Sequence, residues 1–222
     1  RYRLIVRQQP EQGRAGTFGS KERRPLDPLP IVQLEIFDKY GNLDLLGSGS
    51  PNLVMQVSAL PVPIEEAQEE VTLEDKGGGE SVEGMKQEKG KTLARASLGK
   101  QGQTVMQRVL EGKVTSSAHV AFDTDGSRAC FFIFSDLSLR IEGTFKLVFS
   151  LVRLGMGSGA RTSVGKIVAT VSSDAFKVYS PREFPGVAQS TDLAKCLANQ
   201  GVQIPIRNEA RRGGSAAGRH IS

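Results

Sequence analysis

The chain has 222 residues, 38% of them hydrophobic, and no apolar run near the ~18 to 20 residues that a membrane-spanning helix needs. That size fits one large domain, or one domain with appendages, rather than two independent full-size domains. Lys and Arg outnumber Asp and Glu by 29 to 24, while Cys130, Cys196, His119 and His220 are the only cysteines and histidines, which excludes a disulfide framework and a clustered zinc site.

The chain begins at Arg1 with neither a Met nor a charged-then-apolar leader, so it is expected to be a domain of a longer protein. Two free, buried thiols and a reducing compartment are the expectation for the cysteines.

In chain order, Tyr2, Leu4 and Val6 alternate with Arg3, Ile5 and Arg7, the period of a strand with one buried face, and Pro10 ends it. Ile31 to Phe37 alternates again, and Asp38 to Asn42 supply turn chemistry before the apolar stretch Leu53 to Leu60. Pro61 to Gln103 reads as a flexible acidic insertion: its stretch Ile64 to Glu83 holds eight acids against Lys76 alone and few large apolar groups. A short helix over Ile64 to Leu73 is compatible with that stretch. The insertion is either a solvated loop or an acidic arm that competes with DNA for a basic surface.

Ala118 to Phe122 and Ala129 to Phe134 flank Asp123-Thr124-Asp125-Gly126, a hairpin signal. Thr144 to Leu154 puts Phe145, Leu147, Phe149 and Leu151 on one face, and Lys166 to Val171 adds a shorter strand. One segment reads as a helix: Ser190 or Thr191 caps it, Asp192 complements its dipole, Leu193, Cys196 and Leu197 share a face, and Gly201 ends it. Val202 to Ile206 then reads as an extended edge segment, with Pro205 removing one donor. Residues 208–222 read as a disordered basic tail. Many short strands and one helix imply an all-β antiparallel sandwich over residues 1–207.

The stretch with the most chemistry is Gly13 to Pro30, GRAGTFGSKERRPLDPLP, which lies between two strand patterns. Arg14, Lys21, Arg23 and Arg24 crowd into it, and Pro25, Pro28 and Pro30 stiffen its exit. Such a loop can bind phosphate through Lys and fork an Arg onto phosphate or a guanine edge. The bland alternative is a surface loop whose basic groups are solvated or pair with Glu22 and Asp27.

Other motifs carry less. Gly155, Gly157 and Ala160 form GxGxxA with Asp174 downstream, but Val164, Val168, Thr170 and Val171 favour a strand over the helix a pyrophosphate site requires. Ser158 lacks the glycine of a nucleophile elbow, His119 sits alone in a strand pattern, and Asp123 and Asp125 belong to a turn. No enzyme, catalytic residue, metal, cofactor, small-molecule substrate or membrane partner is expected.

Three ordered blocks resemble one family. YRLIVRQQP with the following FGSKERRPLDPLPIVQL, then SRACFFIFSDLSLRIEGTFKLVFSLV from Ser127 to Val152, then FKVYSPREFPGVAQSTDLAKCLANQGVQIPIR from Phe176 to Arg207, are similar to the velvet domain of fungal developmental regulators. The resemblance implies an Ig-like sandwich akin to the DNA-binding half of Rel/NF-κB proteins. It further implies a dimeric, sequence-specific transcription regulator of sporulation, development and secondary metabolism, moving between cytoplasm and nucleus.

By the same resemblance, the family's DNA-contacting loop carries over onto Lys21, Arg23 and Arg24, with Arg14 as companion. Partners would be double-stranded DNA and another velvet subunit, as homodimer or heterodimer. Where the family commonly has Cys-Gly before the Phe-Gly of this loop, Gly16 and Thr17 stand here, so no thiol role is expected. The long insertion and the KCLANQGVQIPIR ending resemble VelB-like members, TSSAHVAFDTDG resembles VosA-like ones, and the two branches are not separated. The alternative function is a scaffold that dimerises with a velvet subunit supplying most DNA contacts, through the helix face of Leu193, Cys196 and Leu197 or a sheet edge.

Overall fold

The structure, a computed structural model, describes residues 1–16, 23–44, 52–63, 109–155 and 165–207. Twelve strands and one helix lie among them: β1 Tyr2–Gln8, β2 Gln12–Arg14, β3 Ile31–Ile36, β4 Leu53–Pro61, β5 Leu110–Glu111, β6 Thr115–Ser117, β7 His119–Phe122, β8 Arg128–Ile133, β9 Ser138–Leu139, β10 Gly143–Arg153, β11 Lys166–Ser172, β12 Phe176–Tyr179 and α1 Asp192–Asn199. One sheet runs β1-β3-β8-β7, a second runs β2-β12-β10-β4-β6 with β11 also on β10, and β5 pairs β9. This is the predicted all-β sandwich.

The alternation that marks each long strand sets which face is inside. Phe145, Leu147, Phe149 and Leu151 of β10 and Leu53, Met55, Val57 and Ala59 of β4 are buried against Val32 and Leu34 of β3 and Cys130 and Phe132 of β8. Phe134 and Phe149 stack at 5.4 Å between ring centroids with a 43° tilt, a favourable offset geometry. On the other flank β10 pairs β12 through Gly143–Phe145 and β11 through Val148–Arg153. β11 therefore occupies, as a strand, the position that a pyrophosphate-binding helix would need after GxGxxA.

β8 is buried on both faces, because Ala129 and Phe131 point away from the sandwich into a second cluster with Ile31, Ala121, Leu193, Ala194, Leu197 and Ile204. That double burial is why its sequence, RACFFI, is continuously apolar rather than alternating. The β7–β8 hairpin forms as expected, but with a three-residue loop: Gly126 N–H donates to the Asp123 carbonyl at 3.0 Å, Asp123 N–H to the Ser127 carbonyl at 2.8 Å, and Gly126 takes a φ of +81°. Arg7 reaches across from β1 to the buried Asp123 at 2.5 Å.

α1 begins at Thr191, whose hydroxyl accepts the Ala194 N–H at 3.2 Å. Its apolar face is spent inside the chain on the second cluster, with Cys196 half-buried at its side. Thr191→Ala is expected to lower stability by about 1 kcal/mol in urea denaturation, with Thr191→Ser near neutral. The predicted extended edge at 202–206 is not a strand. Ile204 N–H turns back to the Val202 carbonyl at 2.8 Å, Pro205 has no donor, and Ile204 drops into the cluster instead.

One pairing departs from the all-antiparallel expectation: β2 runs parallel to β12. Most of the predicted insertion at 61–103, its possible helix, and the tail at 208–222 lie outside the described residues; Pro61 ends β4. No described helix is long and apolar enough to cross a membrane.

Candidate functional site

The basic loop Gly13 to Pro30 leaves the sandwich from β2. In the β2–β12 register Gln12 lies beside Lys177, Gly13 beside Val178 and Arg14 beside Tyr179. Gly13 and Val178 are buried, so Arg14, Lys177 and Tyr179 share the outward side. The Lys177 ammonium sits 4.8 Å from the centre of the Tyr179 ring, a cation–π contact that places a positive charge beside the loop's first arginine.

Both limbs of the loop hang on β9 and its approach. Gly16 N–H donates to the Leu139 carbonyl at 2.8 Å, and Leu26 N–H to the Leu137 carbonyl at 2.7 Å. Ala15 N–H donates to the Tyr179 carbonyl at 2.8 Å, and Gln12 and Asp27 exchange two backbone hydrogen bonds of 2.9 Å. The loop is thus closed at its base by backbone bonds between its own limbs and to two distant segments, 137–139 and β12, which lowers the entropy it would lose on meeting a ligand.

The predicted residues separate into different environments. Arg23 is half-buried and its Nη2 donates to Asp136 Oδ1 at 2.5 Å, from the turn between β8 and β9. Arg24 is exposed and Arg14 half-exposed, and neither forms an ion pair with a described residue. Lys21 lies outside the described residues. Arg140, two residues beyond β9's first strand position and next to Gly16, is paired with Glu111.

Asp27 does not serve the loop's basic groups. Its buried carboxylate takes the Ala188 N–H at 2.6 Å, Gln12 Nε2 at 3.2 Å and Arg207 Nη1 at 3.3 Å, tying the loop's return limb to the end of the domain. Sequence points to Lys177 as a cation that could converge on this end of the sandwich, but not to Asp136, Arg140 or Tyr179. Arg23 and Asp136 are 113 positions apart, so no local pattern joins them.

Among the described residues no catalytic constellation assembles around these groups. Asp125 is a turn cap whose carboxyl is held below the ordinary aspartate range by the Ser127 hydroxyl and then by the Ser127 N–H. His119 is exposed on the edge strand β7, and no group of three or more His, Cys, Asp or Glu that could hold a metal occurs among the described residues. What the loop end of the sandwich offers is a set of cations on a rigid base, suited to a polyanion.

Comparison with known proteins points the same way for the family. The velvet factor model matches residues 2–211. The chain is 45% identical over 212 residues to the sexual development regulator umv3 of Mycosarcoma maydis, covering 95% of this chain and 46% of that protein. It is 35% identical over 224 residues to the spore development regulator vosA of Beauveria bassiana, covering 97% and 70%. It is also 30% identical over 276 aligned positions to velvet complex subunit 2 of Gibberella moniliformis, covering 95% and 62%. The chain thus spans 46% of the first of these relatives and 62% of the last. A family match that runs from β1 past Arg207, on a sandwich with its basic loop closed at the base, makes this chain a member of the velvet family.

Proposed function

We propose that this chain is the sequence-specific DNA-binding module of a velvet-type transcription regulator, working as a homodimer or heterodimer with another velvet subunit. Fungal development, sporulation and secondary metabolism are the processes it would control, from the nucleus with passage through the cytoplasm. The relatives' names, as development regulators and as a velvet complex subunit, support the regulatory and partnered parts of this reading. The observation that carries the DNA-binding part is the basic loop with Arg14, Lys21, Arg23 and Arg24 on a base fixed by β9 and β12. Lys21, Arg24 and Arg14 would hold the phosphates, which gives register, and an arginine would read a base edge in the major groove.

The test is a salt titration of binding to random and genome-derived duplexes, with the native chain beside a Lys21→Ala, Arg23→Ala, Arg24→Ala triple variant. The native chain is expected to bind in a salt-sensitive way and to prefer a subset of sequences. The triple variant should lose that preference and flatten the salt slope by about two to three units. Equal binding by both forms would assign DNA contact elsewhere and favour the dimerisation scaffold. That scaffold would need a sheet edge, because the Leu193 and Leu197 side of α1 is already buried within the chain.

A further inference from the structure

Arg23 and Arg24 are adjacent and chemically identical, yet the fold treats them differently. Arg24 is exposed and forms no ion pair with a described residue, whereas Arg23 donates one Nη2 hydrogen bond to Asp136 at 2.5 Å. Asp136 belongs to a tightly held turn: the next residue's carbonyl anchors the loop at Leu26, and its own carbonyl lies against Gly112. Both side chains of the pair keep about a third of their surface in solvent, at 31% and 38%, so the carboxylate orients the guanidinium without enclosing it. Arg23 Nη1 and Nε make no hydrogen bond to a described residue, and a planar guanidinium carries more donors than the one given to Asp136.

From this we infer that Arg23, not Arg24, is the base reader of the loop, and that Asp136 is its positioning residue. The inference rests on the DNA-binding reading above. A free arginine on a mobile stem must lose rotamer freedom to make a bidentate contact, and it settles equally on any phosphate. An arginine held by a carboxylate on a rigid turn has one edge committed and its remaining donors fixed in direction, which suits the paired O6 and N7 acceptors of guanine. The carboxylate also repels phosphate, so it penalises the non-specific mode more than the specific one.

This predicts opposite effects on two quantities that a merely structural role would move together. In Asp136→Asn, which preserves shape, the ratio of binding to the preferred sequence over random duplex should fall about 5- to 100-fold. Binding to random duplex should rise about two- to fivefold at low salt, since one negative charge near the phosphates is gone. Arg23→Ala should lose discrimination and also weaken random binding, while Arg24→Ala should weaken both sequences by a similar factor and leave their ratio in place.

The experiment sequences the bound fraction of a duplex pool with a randomised core, then titrates the enriched duplex and a random one against the native chain, Asp136→Asn, Arg23→Ala, Arg24→Ala and the Arg23→Ala/Asp136→Asn double variant. Thermal unfolding of each variant checks that the sandwich persists. In the double variant the Asp136 change should no longer affect discrimination but should still raise random binding. Discrimination that survives Asp136→Asn, or that falls with Arg24→Ala and not with Arg23→Ala, overturns the inference alone. A native chain that enriches no sequence overturns the DNA-reading function as well.

Discussion

Gly112→Ala is expected to destabilise the fold by about 3 kcal/mol or more, measured as a shift in the urea unfolding midpoint at unchanged slope. Gly112 follows β5 with a φ of +101°, a conformation that side chains disfavour, and a Cβ there would lie 1.7 Å from the Asp136 carbonyl oxygen. Backbone, not a flexible side-chain end, is what it would strike, so the β8–β9 turn must move. Gly126 is the natural control. Its φ is +81° but nothing lies within 4 Å of its absent Cβ, so Gly126→Ala should carry only the conformational cost of about 1 kcal/mol. Equal losses at the two sites would mean that the turn yields freely and that the contact with Asp136 is unimportant.

Asp27→Ala should cost about 3 kcal/mol by the same measurement. Only 4% of Asp27 is exposed, and its carboxylate is the acceptor for the Ala188 N–H, for Gln12 Nε2 and for Arg207. Removing it leaves these donors facing a small apolar group. Arg207→Ala should cost less, about 1 kcal/mol, because that guanidinium is partly in solvent and its pairing is screened there. The asymmetry is the point of the comparison. If Arg207→Ala proved as costly as Asp27→Ala, the ion pair rather than the orphaned amide donors would dominate.

The long strands were legible because burial writes itself into their spacing: Phe145, Leu147, Phe149 and Leu151 can only be a strand with one face inside. The hairpin at Gly126 and the cap at Thr191 were legible for a different reason, since both depend on the chemistry of one residue in its own turn. β2, β5, β6, β9 and β12 were not anticipated. They are two to four residues long and exist because a partner strand stands opposite, as Gln12–Arg14 exists opposite Lys177–Tyr179. The basic loop announced itself by charge, but the sequence could not tell Arg23 from Arg24, because what distinguishes them is a carboxylate 113 positions away.

The base of the loop also bears on how the chain is made. Arg14, Arg23 and Arg24 leave the ribosome early, yet the carbonyls that hold their loop belong to Leu137, Leu139 and Tyr179, and the carboxylate of Asp27 waits for Ala188 and Arg207. Until nearly the whole domain has been synthesised, the basic segment is an unanchored cationic strand of nascent chain, able to adhere to RNA or DNA by charge but without a fixed shape. The fixed shape that the proposed DNA reading needs is therefore acquired only once the chain has been made through Arg207, and shortening that removes Ala188 and Arg207 is expected to abolish it while leaving every arginine of the loop in place.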